Sequence, residues 1–178
     1  FQTTPDGRLL NANPALAHIA GYSSPEEMIE NVPLIASVYS DATERDEVLA
    51  ILNEKGFIKD YVTRMKRKDL STIWVSMNCR AIRDADGTIV HYEGSVEDIT
   101  EQREAVERSR FSEEKFSKVF MMAPEMIAIT RAADGLIADI NFGFEEMTGW
   151  KREEAVGKTS GDISFWADPS ERTRMVRD

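Results

Sequence analysis

The stretch Thr88-Ile89-Val90-His91-Tyr92-Glu93-Gly94-Ser95-Val96 is rich in β-branched and aromatic residues, which is typical of a strand. It leads through Glu97 into Asp98-Ile99-Thr100-Glu101, and a highly charged segment from Gln102 to about Met121 follows, which we interpret as a helix. Asp98 is expected to cap this helix, because its carboxylate can accept N–H groups that the first turn leaves without partners. The sequence therefore predicts that the last strand of one unit continues directly into a helix that enters the next.

The segments before this strand predict an α+β domain. Phe1–Thr4 and Arg8–Ala12 read as a hairpin around an Asp-Gly turn. Short helices are expected at Pro14–Ala20 and from Pro25, and a longer helix from Asp41 or Thr43 to Gly56. Three long strands then follow, with Ile73, Val75, Met77 and Cys79 alternating along the middle one. Such segregation favours helices on one face of an antiparallel sheet. The expected long strands span 57–68, 72–83 and 88–97.

The chain after the charged helix repeats its own beginning. The repeat preserves turn glycines, a helix-capping asparagine and the start of the long helix, in the same order. The matched positions are Asp6-Gly7 with Asp134-Gly135, Asn13 with Asn141, Gly21 with Gly149, Tyr22 with Trp150, and the segment 39–45 with 166–172.

The second copy ends at Asp178 and has no counterpart of the three long strands. We therefore expect it to be less stable than the first copy, since it has little sheet to pack on. The chain begins with Phe1, and we expect it to be a piece of a longer protein.

The composition limits the classes of function. The 22 basic and 32 acidic side chains give a net charge of −10, which argues against a nucleic-acid or anionic-membrane surface. No apolar run is as long as a membrane span, and no signal peptide is evident. One cysteine excludes an internal disulfide and fits a reducing, cytoplasmic compartment.

Several motifs together resemble the PAS domain with its C-terminal PAC motif. The order, spacing and duplication of these motifs are specific, and they cover essentially the whole chain. In the first copy they are Thr4-Pro5-Asp6-Gly7, Asn11-Ala12-Asn13-Pro14-Ala15, Gly21-Tyr22-Ser23-Ser24-Pro25-Glu26-Glu27 and Asp98-Ile99-Thr100-Glu101; in the second they are Asp134-Gly135, Asn141, 144–150 and Glu153-Glu154.

The resemblance implies a five-stranded antiparallel sheet with helices on one face, a connecting helix and a partial second PAS unit. The corresponding boundaries are 1–100, 101–121 and 122–178. It also implies a non-catalytic sensory and dimerisation module, most commonly of a sensor histidine kinase in bacteria or archaea, with an output domain downstream. The alternatives are a structural dimerisation spacer with a filled core, and the input region of a cyclic-dinucleotide enzyme.

Cofactor chemistry is disfavoured by the positions of the cysteine and histidines. Asn78-Cys79-Arg80 resembles the flavin-adduct motif of the LOV subfamily, but that cysteine lies on a helix, whereas Cys79 is predicted in a strand as a small buried residue. Haem-binding PAS domains use a histidine on the long helix, and 41–56 contains none. His18 and His91 are far apart and make no metal-ligand spacing, so we expect neither haem, flavin nor metal.

The face of the sheet beneath the helices is the expected place for any ligand. Most inward positions are apolar, which favours a closed, filled core, with a small cavity for an apolar or aromatic molecule as the alternative. A charged ligand is not expected, because few inward positions carry a countercharge. The candidate ligand-binding residues are Ile19, Met28, Leu52, Met65, Met77, Cys79 and Tyr92.

The charged helix is the second candidate functional element. It is predicted either as a solvated linker or as a parallel coiled-coil connector in a homodimer, with Val106 and Phe116 as contacts. Ile99, Val106 and Glu113 share one heptad position, so the seam is weak. A change in the sheet would reach this helix through Val96, Asp98, Ile99, Thr100 and Glu101.

Overall fold

The computed structural model describes residues 1–166, apart from the side chain of Ala42. The chain divides into two compact units, Phe1–Val106 and Glu107–Asp178. The first unit contains a five-stranded antiparallel sheet in the order β2-β1-β5-β4-β3, which confirms the predicted fold class. Its strands are β1 Gln2–Thr3, β2 Leu9–Asn11, β3 Phe57–Lys66, β4 Thr72–Arg83 and β5 Ile89–Asp98.

The helices of the first unit begin and end where local capping allows. They are α1 Pro14–Ile19, α2 Pro25–Asn31, a 3-10 turn Ile35–Val38, α3 Ala42–Lys55 and the start of α4 Thr100–Met122. The side chains of Asn13, Ser24 and Asp41 each accept a backbone N–H of the first turn. Gly56 ends α3 in the left-handed conformation, with φ of 79°.

The core of the first unit lies between one face of the sheet and the helices. Alternating residues of β4, from Ile73 to Cys79, are buried against helix residues such as Leu16, Met28 and Val48. The alternation follows from the strand period of two, which sends successive side chains to opposite faces. The helices therefore cover one face of the sheet, as predicted.

The Asp98 side chain makes the predicted contact with the first turn of α4, although Asp98 lies two residues before the helix. It is the last residue of β5, and α4 begins at Thr100. The Asp98 carboxylate still accepts the Thr100 N–H, at 2.9 Å. The chain thus passes from strand to helix through a single residue.

The second unit has a smaller core. It contains the hairpin β6 Ala128–Thr130 and β7 Ile137–Ile140, followed by α5 Phe142–Thr148 and α6 Arg152–Ala155. Asn141 caps α5 as Asn13 caps α1, and Gly149 is left-handed like Gly21. The predicted repeat of the long-helix start, at 168–172, lies outside the described residues. The buried apolar side chains of its core cluster are Ile137, Ile140, Phe144, Ala155 and Ile163.

Within residues 1–166, no helix has the length and apolar character that a membrane crossing requires.

Candidate functional site

A small cavity of about 40 Å³ lies between the helices and the inner face of the sheet. Its lining is mainly apolar, and it includes two methionine side chains from the strands and one from α2. The residues that line it are Phe1, Leu16, Met28, Ile35, Val38, Tyr39, Arg45, Val48, Thr63, Arg64, Met65, Val75, Met77, Cys79 and Val96.

Four of the seven predicted ligand-binding residues line this cavity: Met28, Met65, Met77 and Cys79. The other three, Ile19, Leu52 and Tyr92, do not. Ile19 is only partly buried and packs at the edge of the neighbouring cluster. Leu52 lies about two turns beyond Arg45 on α3, and Tyr92 about 13 Å along β5 from Val96, so both fill the core beside the cavity.

Among the cavity residues that the sequence analysis did not identify, Arg45 is a buried charged one. It is 8% exposed, and its Nη2 has no hydrogen-bond partner among the residues that the structure describes. Its guanidinium carbon lies 5.8 Å from the ring centroid of Tyr92. The spacing Arg45, Val48, Leu52 places Arg45 on the buried face of α3, so helical periodicity could have identified it. Arg45 is thus one of the few inward positions of the first unit that carry a charge.

Two further polar groups, the Tyr39 hydroxyl and the Cys79 thiol, line the same cavity. The Tyr39 hydroxyl donates to the thioether sulfur of Met77 at 3.9 Å, and a thioether is a weak acceptor. Burial raises the pKa of Tyr39 above its ordinary value, although Arg45 opposes the rise. Burial also raises the pKa of Cys79 to about 11, so its thiol is protonated and unreactive at neutral pH.

A larger recess of about 690 Å³ opens on the outer face of the sheet, but its charged groups are already paired. Arg80 donates from Nε and Nη2 to Oε1 of Glu93, at 2.8 and 2.5 Å, and Gln2 donates to the other oxygen. Because these groups satisfy one another, the recess is a weaker candidate for a ligand site than the cavity.

The junction between β5 and α4 is held to β4 by backbone and side-chain hydrogen bonds at Trp74. The Ile99 N–H donates to the Trp74 carbonyl at 2.9 Å, and the Trp74 N–H donates to the Thr100 hydroxyl at 3.0 Å. Arg103, one turn into α4, stacks on the Trp74 ring with its guanidinium carbon 4.2 Å from the ring centroid. The first turn of α4 is therefore tied to the middle of the sheet.

Asp98 closes the same junction from the other side. Its Oδ2 accepts a hydrogen bond from Arg67 Nη2 at 2.9 Å, while its Oδ1 accepts from the Thr100 N–H. Burial opposes ionisation of Asp98, but the hydrogen bonds from Thr100 and the charge of Arg67 outweigh it and lower the pKa of Asp98. The predicted relay residues Asp98, Ile99 and Thr100 thus lie together at the junction, and sequence reasoning missed Arg67, Trp74 and Arg103. Glu101, also predicted, is exposed on the first turn of α4.

The sequence matches the family of the PAS domain in two segments, residues 1–101 and 124–178. Together they cover most of the chain. The chain belongs to the PAS domain family.

Solved PAS and LOV structures resemble this PAS chain in fold. A PAS domain from Colwellia psychrerythraea is 23% identical, with a TM-score of 0.48 over 56% of this chain and 84% of that one. An RNA-binding light-oxygen-voltage receptor is 24% identical, with a TM-score of 0.50 over 65% of this chain and 33% of that one. A sensory box histidine kinase/response regulator from Burkholderia thailandensis is 18% identical, with a TM-score of 0.48 over 66% and 88%. No curated protein matches the sequence.

The surface of α4 in this PAS protein is exposed along most of its length. Val106 and Phe116, the predicted dimer contacts, are 62% and 61% exposed. Phe111, Val119 and Met122 are exposed as well, while charged side chains such as Arg110 pair with Glu107 and Glu114 along the helix. The helix thus combines local ion pairs with large apolar side chains that are exposed in the part of the chain that the structure describes.

No described group of three or more His, Cys, Asp or Glu side chains is arranged to hold a metal ion. In the first PAS unit, His18 is exposed on α1, and His91 lies in β5 within 3.5 Å of Glu93.

Proposed function

We propose that this chain is a sensory PAS module of a signal-transduction protein, with a first PAS unit that responds to a small ligand and a helix that relays the response. Membership of the PAS family supports the sensory role. The observation that carries the proposal is the continuity from the cavity to α4. Val96 lines the cavity, Asp98 lies two residues further along β5, and Asp98 holds the first turn of α4.

The relay operates by a shift between two states of the junction. A ligand that displaces Val96 in one of the two states changes the free energy of the Asp98–Arg67 and Trp74–Arg103 contacts. The populations of the two states then shift by the difference in the ligand's affinity for them. Because β5 is paired with β4 from Val75 to Arg83, a displacement in the cavity is shared with the strand that carries Trp74. The downstream partner is an output domain, and a histidine kinase is our first candidate for it.

The ligand we propose is small, and the unit works without haem or flavin. The cavity of about 40 Å³ is far smaller than the roughly 300–1,000 Å³ typical of cofactor sites. Cys79 lies in a strand with a protonated thiol, which does not suit adduct formation with a flavin. We also propose a cytoplasmic location, because the lone cysteine fits a reducing compartment.

Asp98→Ala tests the relay. The substitution removes the acceptor of the Thr100 N–H and the partner of Arg67, so we expect a loss of about 0.5–2 kcal/mol in the free energy of unfolding. In the full-length host protein, a change of about 1 kcal/mol at the junction should alter the basal output about fivefold. Thermal unfolding and an output assay measure the two effects.

Asp69→Ala is the matched control, because Asp69 accepts the Ser71 N–H at the same distance of 2.9 Å but lies in the β3–β4 turn. It should lower stability slightly and leave output unchanged. Equal outputs from the two variants would contradict the relay.

The pKa of Asp98 is lowered in the folded state, so its contribution to stability is present at neutral pH and is lost as the pH falls through that lowered pKa.

We further propose that the protein is a homodimer through α4. Most helical stability in proteins comes from packing an apolar face, and the ion pairs of α4 contribute only about 0.2–0.5 kcal/mol each. The exposed apolar side chains of α4 therefore favour a second helix as their cover. The alternative, a spacer with a filled core, is favoured by the small size of the cavity.

The double substitution Val106→Asp and Phe116→Asp should weaken self-association about tenfold or more, since it places like charges in the helix contact. Sedimentation at tens of micromolar measures the shift from dimer to monomer. Lys118→Glu, on roughly the opposite side of the helix, makes the same change of two charges and should leave the dimer intact. An unmodified chain that sediments as a monomer would overturn the homodimer.

A further inference from the structure

We propose that the cavity of the first PAS unit binds a small planar oxyanion, of the carboxylate or nitrate type, through the guanidinium of Arg45. This inference deepens the proposed sensory function by naming the chemical class of its ligand. It rests on the cavity beneath the helices and on a buried cation within it, whose Nη2 lacks a hydrogen-bond partner among the described residues.

Arg45 is poorly satisfied by the protein itself. None of the ion pairs among the described residues includes it, and its Nη2 is buried without an acceptor. Burying a charge without a partner is costly, so a guanidinium in this position requires compensation. The Tyr92 ring face offers partial compensation, at 5.8 Å, but it leaves the N–H donors of Nη2 unused. A bound anion would supply both the charge and the acceptors.

A second donor lies beside Arg45. The Tyr39 hydroxyl lines the same cavity, and its only acceptor among the described residues is the thioether sulfur of Met77. Thr63 is already engaged, because its hydroxyl donates to Glu44 Oε2 at 2.5 Å. The planar guanidinium fork matches the two oxygens of a planar oxyanion, and Tyr39 can donate to the same group.

The size of the cavity sets the size of the ligand. A cavity needs about 10–15 Å³ to hold one water molecule, so about 40 Å³ provides room for only a few heavy atoms. Formate, nitrate and acetate are of this scale. The walls from Met28, Val48 and Val96 are apolar, so they strengthen an ion pair by excluding water.

Cys79 provides a readout that does not depend on signalling output. It lines the same cavity, it is the only cysteine of the chain, and burial raises the pKa of its thiol to about 11. Its reaction with a disulfide reagent therefore requires opening of the cavity. An anion that binds only the closed state slows this reaction by a factor of one plus the ratio of its concentration to Kd. At an anion concentration of ten times Kd, the reaction should be about tenfold slower.

The experiment measures Cys79 modification and thermal unfolding of the unmodified chain in sodium formate, acetate or nitrate. Ionic strength is kept constant with sodium sulfate, whose anion is larger and doubly charged. We expect at least one of the three anions to slow modification in a saturable manner and to raise Tm. Arg45→Met should abolish both effects while raising the Tm of the anion-free chain. Arg8→Met, which removes an exposed arginine from the same unit, should respond as the unmodified chain does.

Arg45→Lys keeps the positive charge but loses the planar fork of the guanidinium, so it should bind the anion more weakly than the unmodified chain does. This variant replaces Arg45→Met in the experiment if the methionine variant does not fold. Equal protection of Cys79 in the unmodified chain and the Arg45 variants would overturn the proposal, as would the absence of protection by all three anions. Either result leaves the relay untouched, because the relay is tested by the output of Asp98→Ala and not by anion binding.

Discussion

Gly94→Ala is expected to lower the free energy of unfolding of the first PAS unit by about 3 kcal/mol or more. A Cβ at position 94 would lie 2.0 Å from the carbonyl oxygen of Asn78 and 3.0 Å from Cα of Cys79. Both atoms belong to the backbone of β4, which cannot move without breaking its pairing with β5. Thermal unfolding should show a decrease in Tm of about 12 °C or more.

Two controls separate the clash from other effects of removing a glycine. Gly87→Ala forces alanine into φ of +85° with nothing within 4 Å, so it reports the cost of the left-handed conformation alone, about 1–2 kcal/mol. Ser95→Ala changes an exposed neighbour and should have little effect. Hydrogen exchange resolved by peptide should show faster exchange in β4 and β5 for Gly94→Ala only. A Tm equal to that of Ser95→Ala would contradict the backbone clash.

The strands and the helix ends of the first unit could be predicted because their determinants are local. The alternation from Ile73 to Cys79 specifies which face of β4 is buried, and it needs no knowledge of the partner strands. Asn13 and Ser24 cap the helices that follow them because their side chains reach only two or three residues along the chain. The number of strands, by contrast, was implied by the family resemblance, and their order in the sheet was not predicted.

The features that the sequence analysis missed depend on pairs that are distant in the chain. Trp74 and Arg103 meet because β4 lies beside the β5–α4 junction, and nothing near either residue indicates this contact. Arg45 was within reach of helical periodicity, but the sequence analysis did not assign it to the buried face of α3. The cavity residues on the strands were predicted from alternation, which gives the face of the sheet but not the position along it. Tyr92 therefore lies on the predicted inner face but beside the cavity.

Asn141→Ala should open the second unit, with a loss of about 3 kcal/mol or more in its free energy of unfolding. The Asn141 side chain is fully buried and makes four hydrogen bonds. Its Oδ1 accepts from the N–H groups of Ile127 and Phe144, and its Nδ2 donates to the carbonyls of Ala123 and Glu125. Alanine would leave these backbone groups without their partner, at about 1–3 kcal/mol for each one that stays buried.

The repeat supplies a matched control at Asn13. This residue occupies the same position before α1, but it is exposed, and its side chain accepts only the Leu16 N–H, at 2.9 Å. Asn13→Ala should therefore cost about 1 kcal/mol, as the loss of an ordinary cap does. Because Ala123 directly follows α4, loss of Asn141 also releases the segment that joins this helix to the hairpin of the second unit. Hydrogen exchange should accelerate across 123–144 in Asn141→Ala while the first unit stays protected, and equal effects of the two alanine variants would show that Asn141 is no more than a cap.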